Sequence, residues 1–165
     1  MKGLHVLLAA AAASWLAVTS IETADARAAA PAAARQSTLP DGEGKAVVEK
    51  LCSACHGLDY LAPSRRTVRS WLETIELMKS FGAEATDEQW TTITDYIVAS
   101  LAYLNANKAA ADEFARLFRI DDKAAEAVVA YRDKQGGFKT IDDLKKAPGL
   151  DAARIDALQE RLIFE

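Results

Sequence analysis

The chain of 165 residues predicts an all-α fold. Three observations carry that expectation. Apolar residues recur at three- and four-residue spacing behind recognisable capping residues. No alternating β-branched run is longer than a few residues. The later half is rich in Ala, Leu, Glu, Asp, Lys and Arg, which favour helices.

The first residues read as an export signal rather than a structural element. Lys2 supplies a positive start, Val6 to Val18 is almost wholly apolar, and small residues follow at Ala24-Asp25-Ala26 and Ala26-Arg27-Ala28. The apolar run is shorter than the roughly 20 residues that span a bilayer, so a cleaved signal over residues 1–28 is favoured over an uncleaved anchor. Residues 29–39 hold Ala, Pro, Arg, Gln, Ser and Thr without apolar periodicity and read as a flexible leader. Two folded segments are expected after it, 40–103 and 104–165.

Three helices account for the first. Asp41 is positioned to cap a helix through Lys45, Val47, Val48 and Leu51. Thr67 would cap a second, with Trp71, Leu72, Ile75 and Met78 on one face and Gly82 as its stop. Thr86 and Gln89 form a capping box for a third, along which Trp90, Ile93, Ile97 and Leu101 recur with Tyr96 beside them.

The first of these helices leads into Cys52-Ser53-Ala54-Cys55-His56. C-x-x-C-H is the attachment signature of a c-type haem, with two thioether links and an adjacent imidazole for the iron. The chain has two Cys and two His, and the other His is His5. A zinc site would need two more thiol or imidazole ligands. A thioredoxin-like redox pair should follow a strand in an α/β pattern, and none precedes it. A disulfide between Cys52 and Cys55 is the plainer alternative. Export and haem attachment together point to the bacterial periplasm, with no membrane span in the mature form.

Cysteine and histidine leave the sixth iron position open. Met78 is the one methionine after Met1, and a thioether would raise the reduction potential; it also fits a core position of the second helix. Lys79, a Tyr, water or a five-coordinate iron are the alternatives. Arg65-Arg66-Thr67-Val68-Arg69 is the densest basic cluster in a segment, 40–104, with six Lys and Arg against ten Asp and Glu. Arg65 or Arg66, with Trp71 nearby, is assigned to the haem propionate edge. A solvated loop with ordinary surface charges is the alternative.

The run from Cys52 to Leu101 resembles the small monohaem cytochrome c domains of quinohaemoprotein amine dehydrogenases and of periplasmic dehydrogenase cytochrome subunits. Cys52, Cys55, His56, Arg65, Arg66, Trp71, Met78, Gly82 and Tyr96 carry the likeness. The resemblance implies a class I-like cytochrome c helical domain with one covalent haem c, and His56 and Met78 as axial ligands.

The C-terminal segment repeats itself. At an offset of 30, residues 112–128 align with 142–158, pairing Asp112 with Asp142, Phe114 with Leu144, Leu117 with Ala147, Ile120 with Leu150, Asp121 with Asp151, Ala125 with Ile155 and Val128 with Leu158. A duplicated hairpin of helices follows, and neither copy buries its apolar face alone. The segment from Leu104 to Leu162 resembles the tandem helix-hairpin-helix domain of periplasmic competence DNA receptors and DNA repair proteins. In that family a Gly-apolar-Gly turn and the next helix N-terminus hold a phosphate. Here the turns read Arg119-Ile120-Asp121 and Gly149-Leu150-Asp151, placing a carboxylate at each phosphate position. Residues 105–165 hold eleven Lys and Arg against twelve Asp and Glu, unlike a basic nucleic-acid face. A local basic patch from Lys134, Lys139, Lys145 and Lys146 stands against that balance.

The expectation drawn from these readings is a periplasmic electron carrier, not an enzyme, that exchanges single electrons with a redox enzyme or another electron-transfer protein. The C-terminal domain would dock it. DNA binding, or a haem-based sensor acting through the helix-hairpin-helix domain, is the alternative, with DNA the less favoured partner. A peroxidase is the weakest reading, since both axial positions would be filled.

Overall fold

A computed structural model describes residues 39–165. The expected export signal and nearly all of the leader lie outside the described residues. The described chain is helical, in the order α1 Lys45–Cys52, α2 Val68–Ser80, α3 Asp87–Ser100, β1 Leu104–Asn105, α4 Ala111–Phe118, α5 Asp122–Gln135, α6 Ile141–Leu144 and α7 Ala152–Leu158. A 3-10 turn at Gln159–Arg161 and β2 Leu162–Ile163 close it.

Caps with local chemistry form as the sequence predicts. The Thr67 side chain accepts from Ser70 N–H at the start of α2. Thr86 and Gln89 exchange both bonds of a capping box at the start of α3. α2 ends in a Schellman arrangement: Gly82 N–H donates to Lys79 O and Ala83 N–H to Met78 O, both at 3.0 Å, with Gly82 at φ 90°.

The cap assigned to Asp41 is corrected. Gly44 caps α1 at φ 89°, and no side chain bonds that terminus. A Cβ at Gly44 would sit 3.0 Å from Thr92 Cγ2 and from Tyr96 Cβ, so α1 meets α3 through a position only glycine fills. Asp41 instead pairs with Lys45 Nζ at 2.9 Å.

Two short strands qualify the all-α expectation. β1 and β2 pair in parallel, Leu104 with Leu162 and Asn105 with Ile163. Ala106 N–H extends the ladder to Ile163 O at 2.8 Å. Strands of two residues leave no alternating pattern to read.

One apolar core runs through the described residues, from Leu39 to Leu162. Val48 enters it from α1, Trp71 and Ile75 from α2, and Ile93 and Ile97 from α3. Phe114 and Leu117 come from α4, Val128 from α5, and Leu144, Ile155 and Leu158 from the last two helices. α4 packs on α5 and also touches α3 and α2, so the first hairpin is seated on the helices that follow the cysteines.

Candidate nucleic-acid interface

The helix starts of the two hairpins follow the sequence offset of 30, α4 at Ala111 and α6 at Ile141, α5 at Asp122 and α7 at Ala152. Arg119 ends α4 in the left-handed region, φ 53° and ψ 48°. Thirty residues on, Gly149 occupies the same region at φ 83°. Asp121 then caps α5, its carboxylate accepting from Ala124 N–H at 2.8 Å; Asp151 caps α7 by accepting from Arg154 N–H at 2.8 Å. Each expected carboxylate thus satisfies one first-turn N–H of its own helix, and both residues remain exposed. The earlier N–H groups of each turn have no helical acceptor.

The hairpins pack on one another, as their unshared apolar faces require. A Cβ on Gly149 would lie 3.0 Å from the Cβ of Ala124 in α5. Arg154 donates to Leu117 O at 3.0 Å across the pair. Asn107 fixes the connection between hairpins by bonding Phe138 twice, its Nδ2 donating to Phe138 O at 2.8 Å and its Oδ1 accepting from Phe138 N–H at 2.7 Å.

Charges divide unevenly between the two copies. Lys145 pairs with Asp156 at 2.5 Å and Lys146 with Asp143 at 3.0 Å. Arg116, Arg119 and Lys123 are exposed around the first turn. Of the patch read from Lys134, Lys139, Lys145 and Lys146, the last two are thus neutralised by neighbouring carboxylates, while Lys134 and Lys139 stay exposed without an ion pair among the described residues; sequence reading passed over the free cations at the other hairpin. The repeat offset held that signal, since it sets Arg119 where the second copy has glycine.

These observations meet a family comparison. Residues 102–163 match the helix-hairpin-helix motif family.

The helix-hairpin-helix segment also has relatives by sequence. It is 39% identical over 62 residues to an uncharacterised protein of Haemophilus influenzae, covering 37% of this chain and 55% of that one. It is 30% identical over 61 residues to ComE operon protein 1 of Bacillus subtilis, covering 37% and 30%. A third, endonuclease/exonuclease/phosphatase family domain-containing protein 1 of Danio rerio, is 33% identical over 63 residues, covering 38% and 12%. The chain thus spans about half or less of the length of these relatives. No solved structure matches the chain.

The electron-carrier reading is corrected by these findings. The recognisable part of the chain is the helix-hairpin-helix segment, shared with ComE operon protein 1, and the matches give no support to the cytochrome assignment or to a redox partner. The exposed large apolar side chains of the described residues are Tyr60, Leu77 and Phe81, so the helix-hairpin-helix segment turns polar groups outward.

The residues singled out around the cysteines lie as follows. Cys52 is half-buried at the end of α1 and Cys55 is exposed. Both are free thiols, so no disulfide joins them, and burial raises the pKa of Cys52. Exposed His56 faces a residue the sequence reading missed: Tyr60 Oη lies 2.8 Å from Nδ1 and 3.2 Å from Nε2. Nδ1 also lies 2.9 Å from Gly57 O, which calls for a proton on Nδ1. Among the described residues no group of three or more His, Cys, Asp and Glu could hold a metal ion by itself.

Arg66 and Trp71 are brought together, with the guanidinium carbon 5.6 Å from the ring centroid. Arg66 also donates to Thr74 Oγ1 at 2.8 Å. Arg65 departs from them, lying over the Tyr103 ring at 4.8 Å. Trp71 is 2% exposed, and its buried Nε1–H has no acceptor. Met78 is half-buried in the last turns of α2.

Proposed function

We propose that the chain binds DNA through its helix-hairpin-helix segment. The observation that carries this reading is the paired geometry at Arg119 and Gly149, two left-handed turns thirty residues apart, each opening onto a capped helix start within a segment that matches the helix-hairpin-helix motif. The resemblance to competence DNA receptors and the likeness to ComE operon protein 1 support it.

Backbone N–H groups at such turns hold phosphate without reading bases, so the binding is expected to be indifferent to sequence. Asp121 and Asp151 lower the affinity by repulsion, which makes it moderate, while its salt dependence comes from the Lys and Arg that meet phosphates. Fluorescence anisotropy with unrelated duplexes tests the proposal. A straight, falling line of log affinity against log salt supports it, whereas no binding at about 50 mM salt refutes it.

The sequence around the cysteines adds a second component to the same reading, a haem-bearing DNA module exported beyond the cytoplasmic membrane. One observation favours it: the buried Trp71 Nε1–H lacks an acceptor beneath the Arg66 guanidinium, a donor pair suited to a carboxylate such as a haem propionate. Cys52 and Cys55 would carry haem c, with His56 and Met78 toward the iron. Bound there, the haem would supply an iron that changes oxidation state. The mass and visible spectrum of the chain matured by export test this component, and a colourless chain of unaltered mass removes it.

A further inference from the structure

We infer that the two hairpins divide the work on DNA, and that the first grips phosphate with the side chains of Arg116, Arg119 and Lys123 while the second serves mainly as scaffold. This rests on the DNA-binding reading and names the residues that would carry it.

Three observations converge on the first hairpin. Arg119 is the one non-glycine among the described residues with positive φ. Its counterpart in the other copy is glycine, the residue that adopts this conformation without strain. An arginine held in an unfavourable conformation at the tip of a turn points to a use for its side chain.

The second observation is availability. Arg116, Arg119 and Lys123 lie in the last turns of α4, at the turn itself and in the first turn of α5. All three are exposed. None makes a side-chain ion pair among the described residues, where every such pair closes on other cations. Arg116 and Arg119 open onto one groove of about 560 Å³ between α3 and α4, whose carboxylates are Glu43 and Asp95. Neither carboxylate bonds to them.

The third is the contrast across the repeat. Offset by 30, Arg116 falls on Lys146, Arg119 on Gly149 and Lys123 on Ala153. Lys146 is occupied by Asp143 and its neighbour Lys145 by Asp156. Arg154 is turned inward to Leu117 O. Lys134 is at the far end of α5, roughly 20 Å along the axis from the first turn. The first turn thus carries three unpaired cations, whereas of the lysines of the second hairpin only Lys139 is exposed and without an ion pair among the described residues. Guanidinium groups suit a phosphodiester because two parallel N–H donors match two phosphate oxygens, compensating for the glycine nest that this turn lacks.

The test compares two variants of the full chain against the unaltered protein, by anisotropy with a labelled duplex over a salt series. R116A/R119G removes both guanidinium groups and leaves the turn a residue suited to its conformation. K145A/K146A removes two charges of the second hairpin. R116A/R119G is expected to weaken binding about tenfold or more and to lower the salt slope by about 2, with K145A/K146A within about twofold. Equal losses in both variants, or a loss confined to K145A/K146A, overturn the division of labour while leaving DNA binding intact. Failure of the unaltered chain to bind overturns the DNA reading and this inference with it.

Discussion

The guanidinium of Arg161 donates to the carbonyl of Ala99 at 2.7 Å. Its other nitrogen reaches Ala102 O at 3.1 Å and Val98 O at 3.3 Å. These carbonyls lie at or just beyond the C-terminal end of α3, where helical acceptors have no N–H of their own. A positive group at that end also suits the helix dipole. Burial lowers the pKa of Arg161, yet a guanidinium stays charged at ordinary pH. One side chain near the C-terminus thus closes the helix that also packs against α1.

Arg161→Met retains most of the aliphatic packing and leaves the carbonyls without a donor. The expected cost is about 2 kcal/mol, the usual penalty for partly buried acceptors stripped of a charged partner. Denaturant unfolding followed by circular dichroism reads it as a lower midpoint with unchanged slope. An unaltered midpoint would show that water serves the three carbonyls equally well.

Asp121 and Asp151 set up a separation of charge from capping. Asn caps a helix about as well as Asp, so D121N/D151N keeps both N-terminal bonds and removes two negative charges. Stability should change by no more than about 0.5 kcal/mol. DNA affinity should rise several-fold, since a like charge near contact distance costs on the order of 1 kcal/mol even in water. Unchanged affinity would mean that neither carboxylate faces the phosphates.

What the sequence disclosed, and what it hid, follows from the range of the interactions. Thr67, Thr86 and Gln89 were legible because a cap is settled within four residues. Asp41 misled for the complementary reason: it is a good capping residue, but the contact of Gly44 with Thr92 and Tyr96 in α3 placed the helix start three residues later. The tandem hairpins were legible through their internal repeat. The pairing of Leu104 with Leu162 and the burial of Glu113, 4% exposed beneath Arg69, were not. Each joins segments more than forty residues apart and leaves no local trace. At the candidate site the repeat marked the turns, while the tally of charges obscured which cations were free. Counting Lys134, Lys139, Lys145 and Lys146 as a patch ignored the partners that the fold gives the last two.

The carboxyl of Asp143 is held below the usual carboxylate range, first by the Lys146 ammonium and then by the Lys139 N–H. A folded-state pKa below the unfolded one contributes stability at pH above the ordinary carboxylate value, and that contribution fades as pH falls through the folded value. Lys146→Ala should raise the Asp143 midpoint toward ordinary in an NMR titration. The variant should be less stable than the parent near neutrality, with the difference vanishing in acid. A midpoint that stays put would assign the shift to the backbone bond instead.

The two thiols should differ in reactivity in a chain that carries no haem. Thiolate is the nucleophile, and burial disfavours it at Cys52, whereas Cys55 is exposed. Iodoacetamide should label Cys55 several-fold faster than Cys52 in the folded chain, with the rates converging in denaturant. Peptide mass mapping reads both. Equal rates in the folded chain would contradict the half-buried placement of Cys52 at the end of α1.

Arg119 and Gly149 give opposite expectations for exchange at equivalent positions. A side chain in the left-handed region costs about 1–2 kcal/mol relative to glycine, partly offset by the greater freedom glycine has in the unfolded chain. Arg119→Gly should therefore stabilise the fold by about 0.5–1 kcal/mol. Gly149→Ala meets the same backbone strain and adds a Cβ 3.0 Å from that of Ala124, so it should destabilise by more than 1 kcal/mol. Thermal or denaturant unfolding of the two variants measures the contrast. Stabilisation at Arg119 together with weaker DNA binding would show that the strain is kept for the guanidinium, whereas stabilisation with unchanged binding would leave the arginine without a role at the turn.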